Sequence, residues 1–454
     1  MKGDDKLADK KHLDEFLEFL SIPSISALPA HKPDVMKAAV WLGERMKKAG
    51  IDGVEVILTK GHPVVFGRKE SQVPNAPTVL IYGHYDTQPA DPLDEWKTQP
   101  FEPEVRDGKI YARGAADDKG GVFPAVLAAE EVIGRGELTV NLKFLFEGEE
   151  EIGSPNLKDL LEHRKDDFKA DIVVSVDGGM YARNIPSLTV GCRGLAALQI
   201  EVAGPSTDVH SGQGGIIANP IQALAQILAG MKSPDGIILV EGFNDDVALP
   251  TAQEKADMAK VPFDASKTMA HTGVPALFGE KGYLPVERIW VRPTLDANGI
   301  WGGFQGEGIK TIIPSKASCK ITCRLVPNQE PEEICRLIEK HVMRNVPVGV
   351  TVSVKSFPGS SRPYVVPSDH PVLPVMSKVL TELFGTEPVM TRLGGTLPIA
   401  RAFLDILDTY LVFFAMSSPD SGAHGPNEFI RVEEFDRLKT GLPMLWAELG
   451  EALK

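Results

Sequence analysis

Cysteine is scarce in this chain of 454 residues. The sequence contains four cysteines: Cys192, Cys319, Cys323 and Cys335. They are too few and too scattered for a disulfide framework or a zinc knuckle, which favours a reducing, cytoplasmic setting. Two of them stand in the segment CKITCRL, whose alternation places both on one strand face with apolar neighbours. We therefore expect these two cysteines to be buried in a core.

Long hydrophobic runs and an excess of positive charge are also missing. No run reaches the roughly 18 apolar residues of a membrane-spanning helix. Lys and Arg number 48 against 62 Asp and Glu, a net charge of −14 that is unlike the basic surface of nucleic-acid binders. Asp4, Asp5 and Asp9 fall where a signal peptide needs an apolar run. We expect no membrane span, no signal peptide and no nucleic-acid partner.

The two ends of the chain have the pattern of an α/β domain. Helical periodicity occurs at the start, returns between about 33 and 49, and is found again near 370–384 and from about 432. Short apolar runs lie between these helices, at 78–83, 140–146, 171–177 and 409–415. Runs that are apolar on both faces and alternate with helices predict a mostly parallel sheet covered on both sides.

The middle of the chain has a different pattern. Strands of alternating polarity and two helical segments occur there, at 198–204, 318–326, 350–354, 220–231 and 330–343. This predicts an α+β sandwich inserted into the first domain. We assign 1–193 and 363–454 to the first domain and 194–362 to the insertion. The stretch 233–309 is rich in Gly, Pro and polar residues and predicts long loops with short strands.

Residues with metal-binding side chains follow the apolar runs of the first domain or precede its helices. They are His84 and Asp86, Asp117 and Asp118, Glu149 to Glu151, Asp177, and His424. Singly, a histidine at a strand end or an acidic triplet is usually structural. The carboxyl ends of parallel strands, however, share one edge of the sheet, where such folds bind ligands. Five separate segments therefore predict one metal site.

The types of donor atom indicate which metal ions the site binds and how many. Imidazoles and carboxylates without thiolates suit zinc, manganese or cobalt. Two histidines and several carboxylates exceed the needs of one tetrahedral ion, which predicts two ions that share a carboxylate. Asp86 lies two residues after His84 and can accept its second imidazole N–H. Adjacent glutamates allow one to bind metal while the other acts as general base.

A series of motifs carries a family resemblance. In order they are IYGHYDTQP, ARGAADDKGG, FEGEEEIGS, SVDGG, DVHSGQGG, IKTIIPSKASCKITCRLVPNQ, TRLGGTLP and AHGPNE, and they run from residue 81 to residue 428. The sequence resembles the co-catalytic zinc metallopeptidases that include carnosinase, carboxypeptidase G and succinyl-diaminopimelate desuccinylase, and most of all the carnosinase-like dipeptidases. The resemblance implies a zinc-peptidase-like catalytic domain, interrupted by a lid domain that also forms a homodimer.

The resemblance also implies roles in the catalytic domain. One Zn²⁺ would be held by His84, Asp117 and Asp177, and the other by the bridging Asp117 with Glu151 and His424. Asp86 would orient His84. Glu150 would be the general base that activates a hydroxide bridging the two ions.

In the lid, His210 corresponds to the family's histidine that reaches into the partner subunit's site and polarises the scissile carbonyl. Arg324 corresponds to the arginine that binds a substrate carboxylate, and Thr311, Gly395 and Thr396 match positions that line the substrate cleft. Without the resemblance, Arg324 reads as an exposed strand residue and His210 as a turn residue.

The implied activity is metal-dependent hydrolysis of an amide bond in a small substrate with a free carboxylate, by a dipeptidase or carboxypeptidase. Leu393 departs from the dipeptidases, which tend to carry an acidic residue there to meet the substrate's amino group. An apolar side chain cannot pair an ammonium group, so an N-acyl-amino-acid amidohydrolase is the alternative. A non-catalytic metal-binding relative is a further alternative, although retention of Glu150 argues against it.

Overall fold

The computed structural model describes residues 10–453. The interpretation of Asp4, Asp5 and Asp9 falls outside the described residues. The helices are α1 (Lys10–Leu20), α2 (Lys32–Lys48), α3 (Lys119–Arg135), α4 (Leu157–His163), α5 (Lys165–Phe168), α6 (Pro220–Met231), α7 (Ala252–Lys260), α8 (Ala265–Thr272), α9 (Pro285–Trp290), α10 (Pro331–Arg344), α11 (Val372–Phe384), α12 (Pro398–Ala402) and α13 (Val432–Ala452).

The strands alternate with these helices along much of the chain. They are β1 (Asp52–Ile57), β2 (Val64–Lys69), β3 (Thr78–His84), β4 (Glu104–Arg106), β5 (Lys109–Tyr111), β6 (Asn141–Glu147), β7 (Ile172–Ser175), β8 (Ser187–Cys192), β9 (Gly194–Ala203), β10 (Val209–His210), β11 (Asp296–Gly302), β12 (Ile312–Ile313), β13 (Lys316–Leu325), β14 (Thr351–Ser356), β15 (Tyr364–Val365), β16 (Val389–Leu393), β17 (Leu411–Phe413) and β18 (Phe429–Arg431).

A six-stranded sheet organises the first part of the molecule, in the order β1-β2-β6-β3-β7-β17. Strands β6, β3, β7 and β17 are parallel, and the antiparallel pairs involve only β1, β2 and β6. His84 lies opposite Glu147, while Tyr82 and Phe413 both pair with Ser175. The predicted α/β class is confirmed, and the carboxyl ends of the parallel strands meet at one edge.

Helix α3 connects this edge to the core. It follows Asp118, ends at Arg135 and is capped by Gly136, whose φ of +68° is a left-handed conformation that glycine adopts at little cost. The Phe123 ring is fully buried and stacks on Phe16 with the ring centroids 5.5 Å apart. Phe435 of α13 lies 6.2 Å from the same ring. Aromatic packing thus fixes the helix that begins beside the candidate site.

The inserted part contains a four-stranded antiparallel sheet in the order β11-β13-β9-β14. Helices α6 and α10 pack against it around an apolar core. Cys319, Ile321, Cys323 and Leu325 of β13 are all at most 1% exposed, which confirms the interpretation of this strand face. All four cysteines of the chain are free and buried. The predicted inserted α+β architecture is confirmed.

The prediction of loops and short strands for 233–309 is wrong in part, because helices α7, α8 and α9 lie there beside strand β11. These helices are short, and few of their residues are buried, so they lack the apolar periodicity that identifies longer helices. The capping residues at their N-termini are the sequence feature that predicts two of these helices. Thr251 and Glu254 form a capping box, and the Asp264 carboxylate accepts a hydrogen bond from the Lys267 backbone.

The chain divides into two compact units. The first comprises the residues up to Val190, Val366–Thr391 and those from Ala402, and the second comprises Gly191–Val365 and Arg392–Arg401. Residues 392–401 thus belong to the second unit, although the sequence assigns them to the first domain. The reason is that Arg193 donates its backbone N–H to carbonyl groups of this segment. The roles of catalytic domain and lid stay predictions.

Within the described residues, no helix is both long and apolar enough to cross a lipid bilayer. The predicted cytoplasmic location stays a prediction.

Candidate metal centre and active site

The first unit brings five of the predicted metal ligands together. His84 ends β3, Asp117 precedes α3, Glu151 follows β6, Asp177 follows β7, and His424 lies in the loop after β17. The Nε2 atom of His84 is 2.9 Å from Oδ1 of Asp117, and Nε2 of His424 is 3.0 Å from its Oδ2. The two imidazoles therefore flank a single carboxylate.

The remaining carboxylates lie on opposite sides of Asp117. Asp177 has an oxygen 4.0 Å from Nε2 of His84, whereas Glu151 has one 3.2 Å from Nε2 of His424. Two ligands about 2.1 Å from a tetrahedral ion are about 3.4 Å apart, so these separations suit bound metal with small adjustments. Two groups of three have donor atoms within 4.8 Å of one another, His84 with Asp117 and Glu151, and His84 with Asp118 and Asp177, so the donors fit divalent metal at this edge.

The excess of carboxylates in the cluster shifts the pKa values of its histidines. The hydrogen bonds to Asp117 and Glu151 raise the pKa of His424 to about 10. Burial lowers the pKa of His84, but its hydrogen bonds to Asp117 and Asp86 outweigh burial and raise the pKa well above its ordinary value. Burial raises the pKa of Asp177 to about 6. A divalent cation favours neutral imidazoles and ionised carboxylates, so it would relieve this crowding of negative charge.

Asp86 supports the site in more ways than the sequence predicts. Its carboxylate Oδ1 lies 3.4 Å from Nδ1 of His84, but the nearer acceptor for that nitrogen is the Asp86 backbone carbonyl, at 3.1 Å. The carboxylate accepts hydrogen bonds from the backbone N–H groups of Glu150 and Glu151, both at 3.2 Å. Asp86 therefore positions the first histidine and also the glutamate pair.

The three consecutive glutamates have distinct surroundings. Glu149 is buried and accepts hydrogen bonds from the backbone of His62 and from Asn156. Glu151 faces His424 and accepts a hydrogen bond of 2.8 Å from Gln88. Within residues 10–453, the Glu150 carboxylate has no hydrogen-bond partner. Burial raises its pKa to about 8.

Two further buried acids adjoin the cluster: Asp118, which the sequence places among the metal-type donors without a role, and Glu147, which was not predicted. The Asp118 carboxylate accepts a hydrogen bond from the backbone N–H of His84 and, with His84 and Asp177, forms a second group close enough to hold an ion. Glu147 accepts hydrogen bonds from Tyr82 and Ser154. The position of Glu147 opposite His84 depends on the sheet register, which the sequence does not reveal.

A buried ion pair that sequence reasoning missed holds two ligand loops together. Glu428 accepts hydrogen bonds from Arg113 at 2.7 Å and from the backbone N–H groups of Gly114, Ala116 and Asp117. Arg113 also donates to the backbone carbonyl of His424 at 3.1 Å. Both residues stand in recognisable motifs, ARGAADDKGG and AHGPNE, but their 315-residue separation gave no signal of a pair.

The predicted residues of the second unit form two groups. His210 in β10 is exposed, and its Nδ1 accepts a hydrogen bond from the Gly212 backbone, which leaves Nε2 as the N–H donor of the neutral ring. The neighbouring Ser211 donates its backbone N–H to the Thr311 carbonyl. Elsewhere in the unit, Arg324 donates a hydrogen bond of 2.7 Å to the Thr396 hydroxyl, next to Gly395.

The model of the family described as Peptidase family M20/M25/M40 matches residues 80–442. The chain belongs to this family. It is therefore a metallopeptidase, a metal-dependent hydrolase of amide bonds.

Curated relatives and solved structures match over nearly the full length of this M20-family chain. The Cys-Gly metallodipeptidase of Schizosaccharomyces pombe is 34% identical over 95% of the chain and 94% of its own length. The human Beta-Ala-His dipeptidase is 30% identical over 92% of the chain and 87% of its own length. A metallo-carboxypeptidase of the M20 family from Sulfolobus solfataricus, 31% identical, superposes with a TM-score of 0.81 and covers 98% of this chain and 100% of its own.

The buried ion pair of Arg113 and Glu428 leads to a testable prediction. Glu428→Gln should weaken metal retention about 10- to 100-fold, because the loops of Asp117 and His424 lose their common anchor. It should also reduce the free energy of unfolding by about 3 kcal/mol, because the buried Arg113 loses its counterion. Competition with a chelator followed by metal analysis measures the first effect, and denaturant unfolding measures the second.

Glu433→Gln is the matched control, since Glu433 lies on the same stretch of chain but is half exposed and 3.5 Å from Arg183. It should change neither quantity. Equal metal retention by Glu428→Gln and this control would contradict a positioning role for the pair.

Proposed function

We propose that the protein is a binuclear metallopeptidase that hydrolyses dipeptides, or the carboxyl-terminal bond of short peptides, with a free substrate carboxylate. The observation that carries the proposal is that His84 and His424 flank the Asp117 carboxylate beside the unpaired carboxylate of Glu150. The relatives named above act on Cys-Gly and Beta-Ala-His dipeptides or are carboxypeptidases, which supports this substrate class.

The donor set indicates which residues would hold each ion. His84, Asp117 and Asp177 suit one, and Asp117, Glu151 and His424 suit the other. Imidazole and carboxylate ligands favour Zn²⁺, with Mn²⁺ or Co²⁺ as substitutes. When bound, the ions acidify a water molecule and polarise the scissile carbonyl group.

Glu150 is the candidate general base because its surroundings leave it free. Glu149 is saturated by hydrogen bonds and Glu151 faces His424, so neither carboxylate is available to take a proton. Glu150 would accept a proton from the attacking water and deliver it to the leaving amine. Asp86 would keep it in place through the backbone N–H of Glu150.

Residues of the second unit would bind the substrate and stabilise the transition state. Arg324 suits a carboxylate because its guanidinium can donate two parallel hydrogen bonds, and Thr311, Gly395 and Thr396 would line the cleft. We propose a homodimer in which His210 of one subunit donates its Nε2–H to the oxyanion that forms in the partner's site. The exposed ring and the occupied Nδ1 support this donor role.

An N-acyl amino acid is the second candidate substrate. Leu393 is 40% exposed and offers no charge to a substrate ammonium group. An acylated amino group requires none, and both substrate classes present the same free carboxylate. The two candidates therefore differ only in what occupies the amino side of the scissile bond.

A mass-spectrometric screen of dipeptides against N-acyl amino acids tests the substrate class. We expect turnover of dipeptides that is lost with chelator and regained when zinc, manganese or cobalt is added. Turnover confined to N-acyl amino acids would replace the dipeptidase with the amidohydrolase. Absence of turnover in a metal-loaded protein would favour a non-catalytic binding relative.

Removal of the base and removal of the bridging ligand should give different results. Glu150→Gln should keep near-normal metal content but lower turnover about 10²-fold or more, because the amide accepts no proton.

Asp117→Ala should lower metal content from about two ions to one or none and abolish turnover. Metal analysis and steady-state kinetics measure both effects. A metal-replete, active Asp117→Ala would refute the site, and an active Glu150→Gln would return Glu149 or Glu151 to consideration.

The role of His210 in the partner's site predicts complementation. His210→Ala should lose turnover about 10²-fold while metal content and folding stay normal, as expected for loss of an oxyanion donor. His271→Ala, which removes another exposed histidine of the second unit, should leave turnover unchanged.

Mixing His210→Ala with Glu150→Gln completes the test. Each mixed dimer would contain one site with both an intact base and an intact donor, so activity should rise to about a quarter of wild type after random exchange. No recovery after verified subunit exchange would show that His210 serves its own subunit or no site at all.

A further inference from the structure

Two arginines of the second unit lie at its sheet, one within a strand and one just before a strand begins. Arg324 in β13 pairs with Leu195 in β9, and Arg193 stands two residues before Leu195. Arg193 lies just before β9, which begins at Gly194, so the strand pairing itself does not extend to it. Hydrogen bonds from the two guanidinium groups to Gly394 and Thr396 nevertheless bring both cationic side chains to one short segment, within reach of a common ligand.

Both arginines contact one short segment, residues 393–396. Arg193 donates its backbone N–H to the carbonyl groups of Leu393 and Gly395, and its Nε donates to the Gly394 carbonyl at 2.8 Å. Arg324 donates to the Thr396 hydroxyl. A Cβ atom at Gly395 would meet nothing within 4 Å, so the space beside this residue is open.

The charge of Arg193 is not compensated. Within residues 10–453, neither Arg193 nor Arg324 forms an ion pair, and Nη1 of Arg193 is buried with no hydrogen-bond partner. Asp296, the carboxylate that favours the charged form of Arg193, is already paired with Lys232 at 3.0 Å. Burial, together with the positive charge of Arg324, lowers the pKa of Arg193 to about 10.

Two other partly buried arginines of this unit have carboxylate partners. Arg292 is held by both oxygens of Glu280, and Arg392 contacts Glu254. A guanidinium that served only to fix a loop would be expected to have such a partner, because an unpaired buried charge is costly. The lack of one beside a second arginine indicates that an anion completes the pair.

We propose that Arg193 acts together with Arg324 to bind the free carboxylate of the substrate. This inference rests on the proposed function, which supplies a substrate with that group, and it adds Arg193 as a second binding residue. Two guanidiniums match the planar, singly charged carboxylate, and the segment 393–396 sets their spacing. Arg193 thereby selects substrates that carry a free carboxylate over those whose carboxyl group is an amide.

The test compares a substrate with its carboxyl-terminal amide, which keeps the shape but removes the charge. The holoenzyme and its Arg193→Gln variant are assayed on both, with the best dipeptide or, if dipeptides fail, the best N-acyl amino acid. Arg193→Gln should lower kcat/KM for the free carboxylate about 10- to 100-fold, mainly through KM, and change the amide less than about threefold. Gln keeps an N–H that can reach the Gly394 carbonyl.

Arg193→Lys should restore part of the discrimination, since it keeps the charge but not the fork of donors. Arg336→Ala is the control, because Arg336 lies on the exposed face of α10 and pairs with Glu333, so both substrates should be unaffected. Circular dichroism and metal analysis verify that each variant is folded and loaded.

The outcomes separate the inference from the proposed function. Equal losses on acid and amide in Arg193→Gln would assign Arg193 a structural role only, and no loss on either would remove it from the site. Both results overturn the inference while leaving the peptidase intact. A wild-type protein that hydrolyses neither substrate class would overturn the proposed function and the inference with it.

Discussion

The candidate site depends on one carboxylate that is held from both sides. Asp117 contacts His84 through one oxygen and His424 through the other, so the two donor groups share a single central residue. The remaining ligands follow from the sheet, since parallel strands deliver His84, Asp177 and Glu151 to the same edge. Displacement of Asp117 would disturb both groups at once.

The position of Asp117 is fixed by a buried ion pair that is not among the predicted metal ligands. Glu428 receives the backbone N–H groups of the loop that leads to Asp117, and its partner Arg113 holds the carbonyl of His424. Both side chains are at most 1% exposed, so their charges compensate each other in a low-dielectric setting. The same pair thus couples a residue before α3 to a loop some 300 positions later.

Compensation of buried charge also distinguishes structural residues from ligand-binding ones. Glu149 and Glu428 are surrounded by donors, whereas among the described residues the Glu150 carboxylate accepts no hydrogen bond and Arg193 forms no ion pair and has an unpartnered Nη1. Burying a charged group without a partner is unfavourable, so such groups persist where a substrate or ion completes them. Glu150 among the three glutamates and Arg193 beside Arg324 are therefore the candidates for contact with a substrate or ion.

The sequence by itself determined the α/β class, the insertion and the segments that supply the metal-type donors, because periodicity and strand ends are local properties. The motifs around His84 and Glu150 likewise carried the family resemblance. Short exposed helices such as α7 were not predicted, because they bury too few residues to produce an apolar periodicity. Only the tertiary structure decided that Arg113 meets Glu428 and that Arg193 lies beside Arg324 without a counterion. Both facts depend on contacts between distant segments and on which charges find partners there, and no local pattern encodes either.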